Sequence, residues 1–292
     1  MLDLYTQNIV PENFKNVRKA VLENLTMLME QYFSNKPMFI DKNAWELYYH
    51  DELAVNTNVC QQTIITMYLE LNSASNKKSD NITKAKKKAR LSYDAFLTLK
   101  AVKKELKTLL LQNLSSYNTV EITKFSILIQ NNEPNEAGKE QNLIIKIIPC
   151  FTHINQDNKK GIIYWDDTMR QVEIEYPKLA IKNYNTKNKA TKGLYSKYVV
   201  LCKTLFREEK KPYTLPFEVF ETLIYNVPND LFQDLSVKNA YIILNFLRNF
   251  NIKDYKTLDE QDYAFVSLHR SMSALYVKHV ISKIEKGLKH LR

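Results

Sequence analysis

The chain has 292 residues, 45% of them hydrophobic and 25% charged, the balance of a folded globular protein and not of a disordered one. Its 42 Lys and Arg against 32 Asp and Glu leave a net charge of +10 and a pI near 9.2, which points to polyanionic partners such as nucleotides or nucleic acid. Four glycines are too few to build a phosphate-cradling loop of the P-loop or dinucleotide type, and three scattered cysteines give neither a disulfide framework nor a four-ligand zinc site.

The opening segment MLDLYTQNIVPENF carries Asp3 and Glu12 where a secretory signal would be basic and then apolar. No stretch reaches the roughly 18 consecutive apolar residues that cross a bilayer. The expectation is a cytoplasmic protein with no membrane span.

Taken in order, residues 11–33 place Phe14, Val17, Val21, Leu25, Leu28, Met29 and Tyr32 at helical spacing behind Pro11, which suits a first turn. An aromatic-rich segment leads from Pro37 into TIITMYLEL, a run of β-branched and aromatic residues that reads as a buried strand. The lysine-rich stretch that follows, NSASNKKSDNITKAKKKAR, is expected to be a solvated loop or helix start. Phe96, Leu99, Val102, Leu106 and Leu110 then mark a second amphipathic helix over about 92–114. Two strand-like runs come next, TVEITKFSILIQ and NLIIKIIPCF, joined by a polar loop that suits a hairpin, and GIIYWDDTMRQVEIEYPK reads as two short strands around Asp166 and Asp167. From about Thr191 the pattern is helical to the end. The expected class is α+β: a small mixed sheet with flanking helices over 1–185, and a helical lobe over 186–292.

The phrases NLIIKIIPCF, GIIYWDD, YPK, NKATKGLYSKYVVLCKTLF and ETLIYNVPNDLF, in this order and spacing, resemble the second half of the polymerase-β-type nucleotidyltransferases, in the branch of the bacterial oligonucleotide cyclases and oligoadenylate synthases. The resemblance implies two magnesium ions held by three carboxylates, two of them one residue apart on a strand and the third on a neighbouring strand. At those three positions this sequence carries Ile64, Thr66 and Lys146. A lysine ammonium cannot ligate magnesium, and the nearby acids are Asp51, Glu52 and Glu70.

The resemblance also matches Lys203 to a helix lysine that contacts nucleotide phosphates, with Tyr195 and Lys197 earlier on the same helix. Lys146 itself reads either as a solvent-facing strand residue or as a built-in cation that takes the place of a metal and pairs with phosphate. The leading expectation is a catalytically degenerate nucleotidyltransferase-like protein that binds nucleotide or RNA through Lys146, Lys197, Lys203 and Tyr195 without a metal cofactor. An active magnesium-dependent transferase using Asp51, Glu52 and Glu70, and a scaffold for a protein partner, are the two alternatives.

Other constellations are weaker. The five histidines lack metal-ligand spacing, and Glu173 and Glu175 read as the wet face of an edge strand. The basic tracts at 86–90, 100–107 and the C-terminus are ordinarily solvated helix faces. Tyr93, Tyr117, Tyr184 and Tyr195 are candidate base-stacking rings.

Overall fold

The computed structural model describes residues 2, 12–36, 44–50, 63–72, 93–114, 118–131, 143–166, 171–206, 218–261, 264 and 274–290. In chain order the elements are α1 (Glu12–Ser34), β1 (Trp45–Tyr49), β2 (Thr63–Leu71), α2 (Tyr93–Asn113), β3 (Asn118–Ile122), β4 (Ile127–Asn131), β5 (Leu143–Ile154), β6 (Lys160–Asp166) and β7 (Gln171–Glu175). Five helices follow: α3 (Pro177–Ala190), α4 (Leu194–Phe206), α5 (Glu218–Tyr225), α6 (Val237–Asn249) and α7 (Ala274–Lys289). The chain is α+β, with a mixed sheet first and helices last. It forms two compact units, one of residues 11–51 and 61–177, the other of 1–10, 52–60 and 178–292.

In the sheet unit the strand order is β1-β2-β5-β4-β3, with β6 pairing β5 and β7 pairing β6. β2 and β5 run parallel, which demands a long crossover, and α2 lies within it. β5 changes partners along one edge: residues 143–147 pair with β4, and 151–154 pair with β6. Pro149 sits in the gap between them, where its missing N–H removes no ladder bond. The ring of Phe125, from the turn before β4, lies beside this gap with Pro149, Phe96 and Trp165.

Alternation gives the sheet two different faces. Ile65, Met67, Leu69 and Leu71 of β2 point one way with Ile145, Ile147 and Phe151 of β5, and all are buried. α2 packs against β3, β5 and β6 and buries Leu99, Val102, Leu106 and Leu110, while Leu25, Met29 and Phe33 bury one stripe of α1. Tyr32 and Lys36 of the α1 end both reach Glu105 of α2, a tie at the rim of this core.

The helical unit has its own core around Tyr184, Tyr195, Tyr198, Phe220, Leu223, Tyr255, Val280 and Ile284. Pro177 opens α3, a position where its missing donor is harmless. The helix ends with Gly193 at φ 83° and its N–H bonded to the Asn188 carbonyl, a left-handed stop that favours glycine. Ser236 caps α6 by accepting the Asn239 N–H. Gly287 lets α7 approach α4 so closely that a Cβ there would lie 3.2 Å from Leu205.

Several expectations are corrected. The aromatic segment before β2 contains a strand, Trp45–Tyr49, that pairs antiparallel with it. TVEITKFSILIQ is a hairpin of two strands because Ser126, Thr123 and the Thr123–Ser126 hydrogen bonds make a turn in its middle. The helical pattern begins at Pro177, fourteen residues ahead of Thr191. The lysine-rich stretch at 73–91 and the polar loop at 132–142 lie outside the described residues.

Candidate functional site

The second sheet face is polar where the first is apolar. It carries Thr66, Tyr68 and Glu70 of β2, Lys146, Ile148, Cys150 and Thr152 of β5, Tyr48 of β1, Tyr164 of β6 and Glu175 of β7. The parallel register sets Ile64 beside Ile144 and Thr66 beside Lys146. The antiparallel neighbour on the other side of Lys146 is Leu128. Lys146 is thus mid-sheet, with strands on both sides.

Its ammonium lies 4.2 Å from the centre of the Phe125 ring, a cation–π contact. Burial pulls the Lys146 pKa below its ordinary value, and the charge of Glu175 partly opposes that pull. Among the described residues no acceptor lies within hydrogen-bond or ion-pair distance of this ammonium. The solvent-facing reading of Lys146 is therefore corrected: the side chain is drawn over an aromatic ring on a half-buried face.

Glu175 is the acid of this face. Its Oε1 accepts the Tyr164 hydroxyl at 2.6 Å, and its Oε2 accepts the hydroxyl of Tyr68. Burial first, and then Glu175, hold the Tyr164 phenol protonated far above its ordinary range. Sequence periodicity had placed Glu175 on a wet edge; the tyrosines of β2 and β6 instead draw it inward, which no period-2 pattern reveals.

Glu70 belongs to a different spot. It is 1% exposed, accepts the Thr152 hydroxyl at 2.6 Å, and pairs with Lys160 at 3.1 Å. Glu70, named from the sequence as a nearby acid, is thus a buried and engaged carboxylate at the strand end. In register it neighbours Cys150, four positions from Lys146, or about 13 Å along the strand. Asp51 and Glu52 lie outside the described residues.

In the helical unit, Lys203 is fully buried and its ammonium lies 2.6 Å from Glu221, also fully buried. Tyr195 is buried as well, with its hydroxyl donating to the Glu221 carbonyl at 2.9 Å and its ring 4.8 Å from that of Tyr184. Lys197 faces solvent. Tyr195 and Lys197 are two residues apart on α4 and so project to opposite sides. The structure brings Tyr195 and Lys203 to Glu221 and leaves Lys197 apart. Tyr184 and Tyr195, packed against each other in the core, are not open to a base, while Tyr117 and the side chain of Tyr93 lie outside the described residues. Cys150 and Cys202 are buried thiols, and burial pushes the Cys202 pKa up to about 12.

The sheet and its polar face allow comparison with known proteins. Residues 182–289 match the model of the cGAS/DncV-like nucleotidyltransferase C-terminal helical domain. The whole chain superposes on solved structures of the same type. Elizabethkingia meningoseptica CdnE cyclic dinucleotide synthase, solved with GTP and Apcpp, gives a TM-score of 0.72 at 16% identity, covering 98% of this chain and 97% of that one. The fold is that of the cGAS/DncV-like nucleotidyltransferases. Rhodothermus marinus CdnE c-UMP-AMP synthase gives 0.70 at 14% identity, over 99% and 95% of the two chains. The STING-associated CdnE c-di-GMP synthase of Capnocytophaga granulosa gives 0.68 at 17% identity, over 99% and 85%. No curated protein matches the sequence.

This nucleotidyltransferase fold bears out the polymerase-β-type resemblance and the α+β class. It also implies magnesium on the polar face. The described donors at that spot do not fit such an ion: the register joins a threonine hydroxyl to a lysine, and Glu175, the described carboxylate whose charge reaches Lys146, has each oxygen engaged by a tyrosine. Among the described residues no group of three His, Cys, Asp or Glu side chains is arranged to hold a metal. No described helix is long and apolar enough to cross a membrane.

Proposed function

We propose that this chain binds a nucleoside phosphate on the sheet face around Lys146, with the lysine ammonium standing in for a metal, and does not carry out nucleotidyl transfer. The observation that carries the reading is the placement of Lys146. A cation withdrawn onto a half-buried face costs solvation, and here a single aromatic ring offsets it where a carboxylate would normally do so. An anion that enters this face gains an ammonium already partly withdrawn from water, with no competing acceptor among the described residues.

Further support comes from what surrounds it. Thr66 offers a hydroxyl one strand away, and Tyr68 and Tyr164 are fixed by Glu175, so the face is preorganised. Two of the relatives named above, those of Elizabethkingia meningoseptica and Rhodothermus marinus, were solved with GTP, Apcpp or Upnpp, which makes a nucleotide the first ligand class to try. Glu70, whose Oε1 is engaged by Thr152 and Lys160, stands four strand positions from Lys146, about 13 Å along the strand, which weighs against a transferase built on displaced acids.

Calorimetric titration with ATP, GTP, CTP and UTP, in excess magnesium and again in EDTA, tests the proposal. Binding that survives EDTA and weakens at least about tenfold in Lys146→Met, a loss of about 1.4 kcal/mol, is the expected result. Binding that requires magnesium, together with incorporation of labelled nucleotide into product, would replace it with an active transferase. Absence of binding to all four leaves the protein-scaffold reading.

A further inference from the structure

Lys187, in the last turn of α3, reaches with its side chain to the residues that follow α5. Its ammonium donates to the Val227 carbonyl at 2.6 Å and to the Asn229 side-chain oxygen at 2.9 Å, and lies 5.4 Å from the centres of the Tyr225 and Phe232 rings. The residue is half-buried. Among the described residues no carboxylate comes within ion-pair distance of it. Lys203 and Lys160, by contrast, reach Glu221 and Glu70.

A carbonyl and an amide oxygen accept hydrogen bonds without neutralising a charge, and two ring faces return only part of the solvation that the ammonium has lost. Burial therefore pulls the Lys187 pKa down to about 8. No charge offsets the pull, neither Asp230, beside Asn229 in the turn 229–231, nor Glu260, which accepts the Tyr225 hydroxyl. Lys146 is also lowered by burial, but there the charge of Glu175 works the other way. Deprotonation costs Lys187 neither hydrogen bond: a neutral amine keeps two N–H groups for its two acceptors and gains a lone pair. At about pH 7.5 such an amine is about one quarter neutral, against about 0.1% for a lysine at the ordinary value.

We propose that Lys187 is an acylation site, its amine taking the acyl group of a small acyl phosphate or acyl thioester. The nitrogen attacks the acyl carbon, the bond from that carbon to the phosphate oxygen or to sulfur breaks with its electron pair, and the proton shed by the nitrogen goes to the leaving group or to water. A desolvated lysine is an activated nucleophile, and the half-exposed position leaves a path for a small donor. The product is an uncharged amide with a single N–H, so it no longer bonds Val227 and Asn229 together. Acylation thereby unpins the turn Asn229–Leu231 from α3. The site lies in the helical unit and does not rest on the nucleotide reading above.

Incubation of the full chain with acetyl phosphate, and separately with acetyl-coenzyme A, at about pH 7.5 and about pH 9.5 tests this, with the acetylation rate of each lysine read by tandem mass spectrometry and divided by its rate in the urea-unfolded chain. At the lower pH, Lys187 should react at least about tenfold faster than exposed Lys182 and Lys197 with one donor or both, and the rates should approach parity at the higher pH, where ordinary lysines also lose their protons. Fast reaction with both donors supports the shared acyl chemistry, and fast reaction with one alone assigns the site to that class of donor. Asn229→Asp sets a carboxylate against the amine and should slow Lys187 at least about fivefold while leaving Lys182 unchanged. Lys187 reacting no faster than Lys182 with either donor, or at an unchanged rate in Asn229→Asp, would overturn the proposal.

Discussion

Two lysines withdrawn from solvent, one in each unit, have been treated differently by the fold. In the helical unit Lys203 meets Glu221, and Tyr195 bonds the backbone of that same glutamate, so a buried charge is neutralised within the protein. On the sheet face Lys146 meets Phe125 and, among the described residues, no acid within ion-pair distance, while Glu175, whose charge reaches it, is held by two tyrosines. A buried charge that is paired contributes to holding a core together. A buried charge left with only a ring is held ready for something not in the chain. The same residue type thus marks structure in one unit and, on the proposed function, binding in the other.

The largest effect that would break this comparison comes from the paired lysine. Glu221→Ala leaves the Lys203 ammonium buried without its partner and should cost about 3–5 kcal/mol in denaturant unfolding, with Lys203→Met/Glu221→Leu recovering most of the loss. A loss below about 1 kcal/mol would mean that Lys203 escapes to solvent and is as available as the phosphate contact expected of it.

An intermediate effect probes how rigidly the polar face is built. A Cβ on Gly161 would lie 2.6 Å from the Glu175 carbonyl and 2.7 Å from the Tyr176 ring. Gly161→Ala should destabilise the chain by about 1–3 kcal/mol and also weaken nucleotide binding, since the backbone that carries Glu175 must shift. Unchanged binding in a destabilised variant would separate Glu175 from the site.

The smallest effect is the most diagnostic. Lys146→Met replaces an unpaired cation with an apolar side chain of similar length, and should leave stability at pH 7 unchanged or raise it by about 1 kcal/mol. The pKa of Lys146 in the folded chain lies below its ordinary 10.5. Between those two values the unfolded chain holds the extra proton, so the stability of the unsubstituted protein rises with pH through that window. The advantage of the variant should therefore shrink as the pH is raised toward 10.5, read as converging denaturation midpoints. A variant less stable than the parent at pH 7 would show that Lys146 is a structural residue.

Much of the fold was legible because long periodic runs leave little choice. The α1 and α2 stripes, the buried runs of β2 and β5 and the strands β6 and β7 all follow from apolar spacing. β1 was not, since WELYY is short and its pairing with β2 is a tertiary matter. The site was half legible. Lys146 was found because family order placed it at a ligand position, and the register with Thr66 agrees with that alignment. Glu175, Tyr68, Tyr164 and Phe125 were missed because they come from strands and a turn far apart in sequence, and only cross-strand pairing gathers them. Lys203 was expected to contact phosphate, and its pairing was hidden because its partner, Glu221, stands eighteen residues away on another helix.

The parallel pairing of β2 with β5 has a consequence for how the molecule comes into being. The register joins Thr63 to Leu143, so eighty residues separate the first matched pair. A chain leaving the ribosome must therefore expose the inner edge of β2 until α2, β3 and β4 have all been made, with only β1 alongside it. Helices α3 to α7 carry no such debt, because they follow one another in sequence.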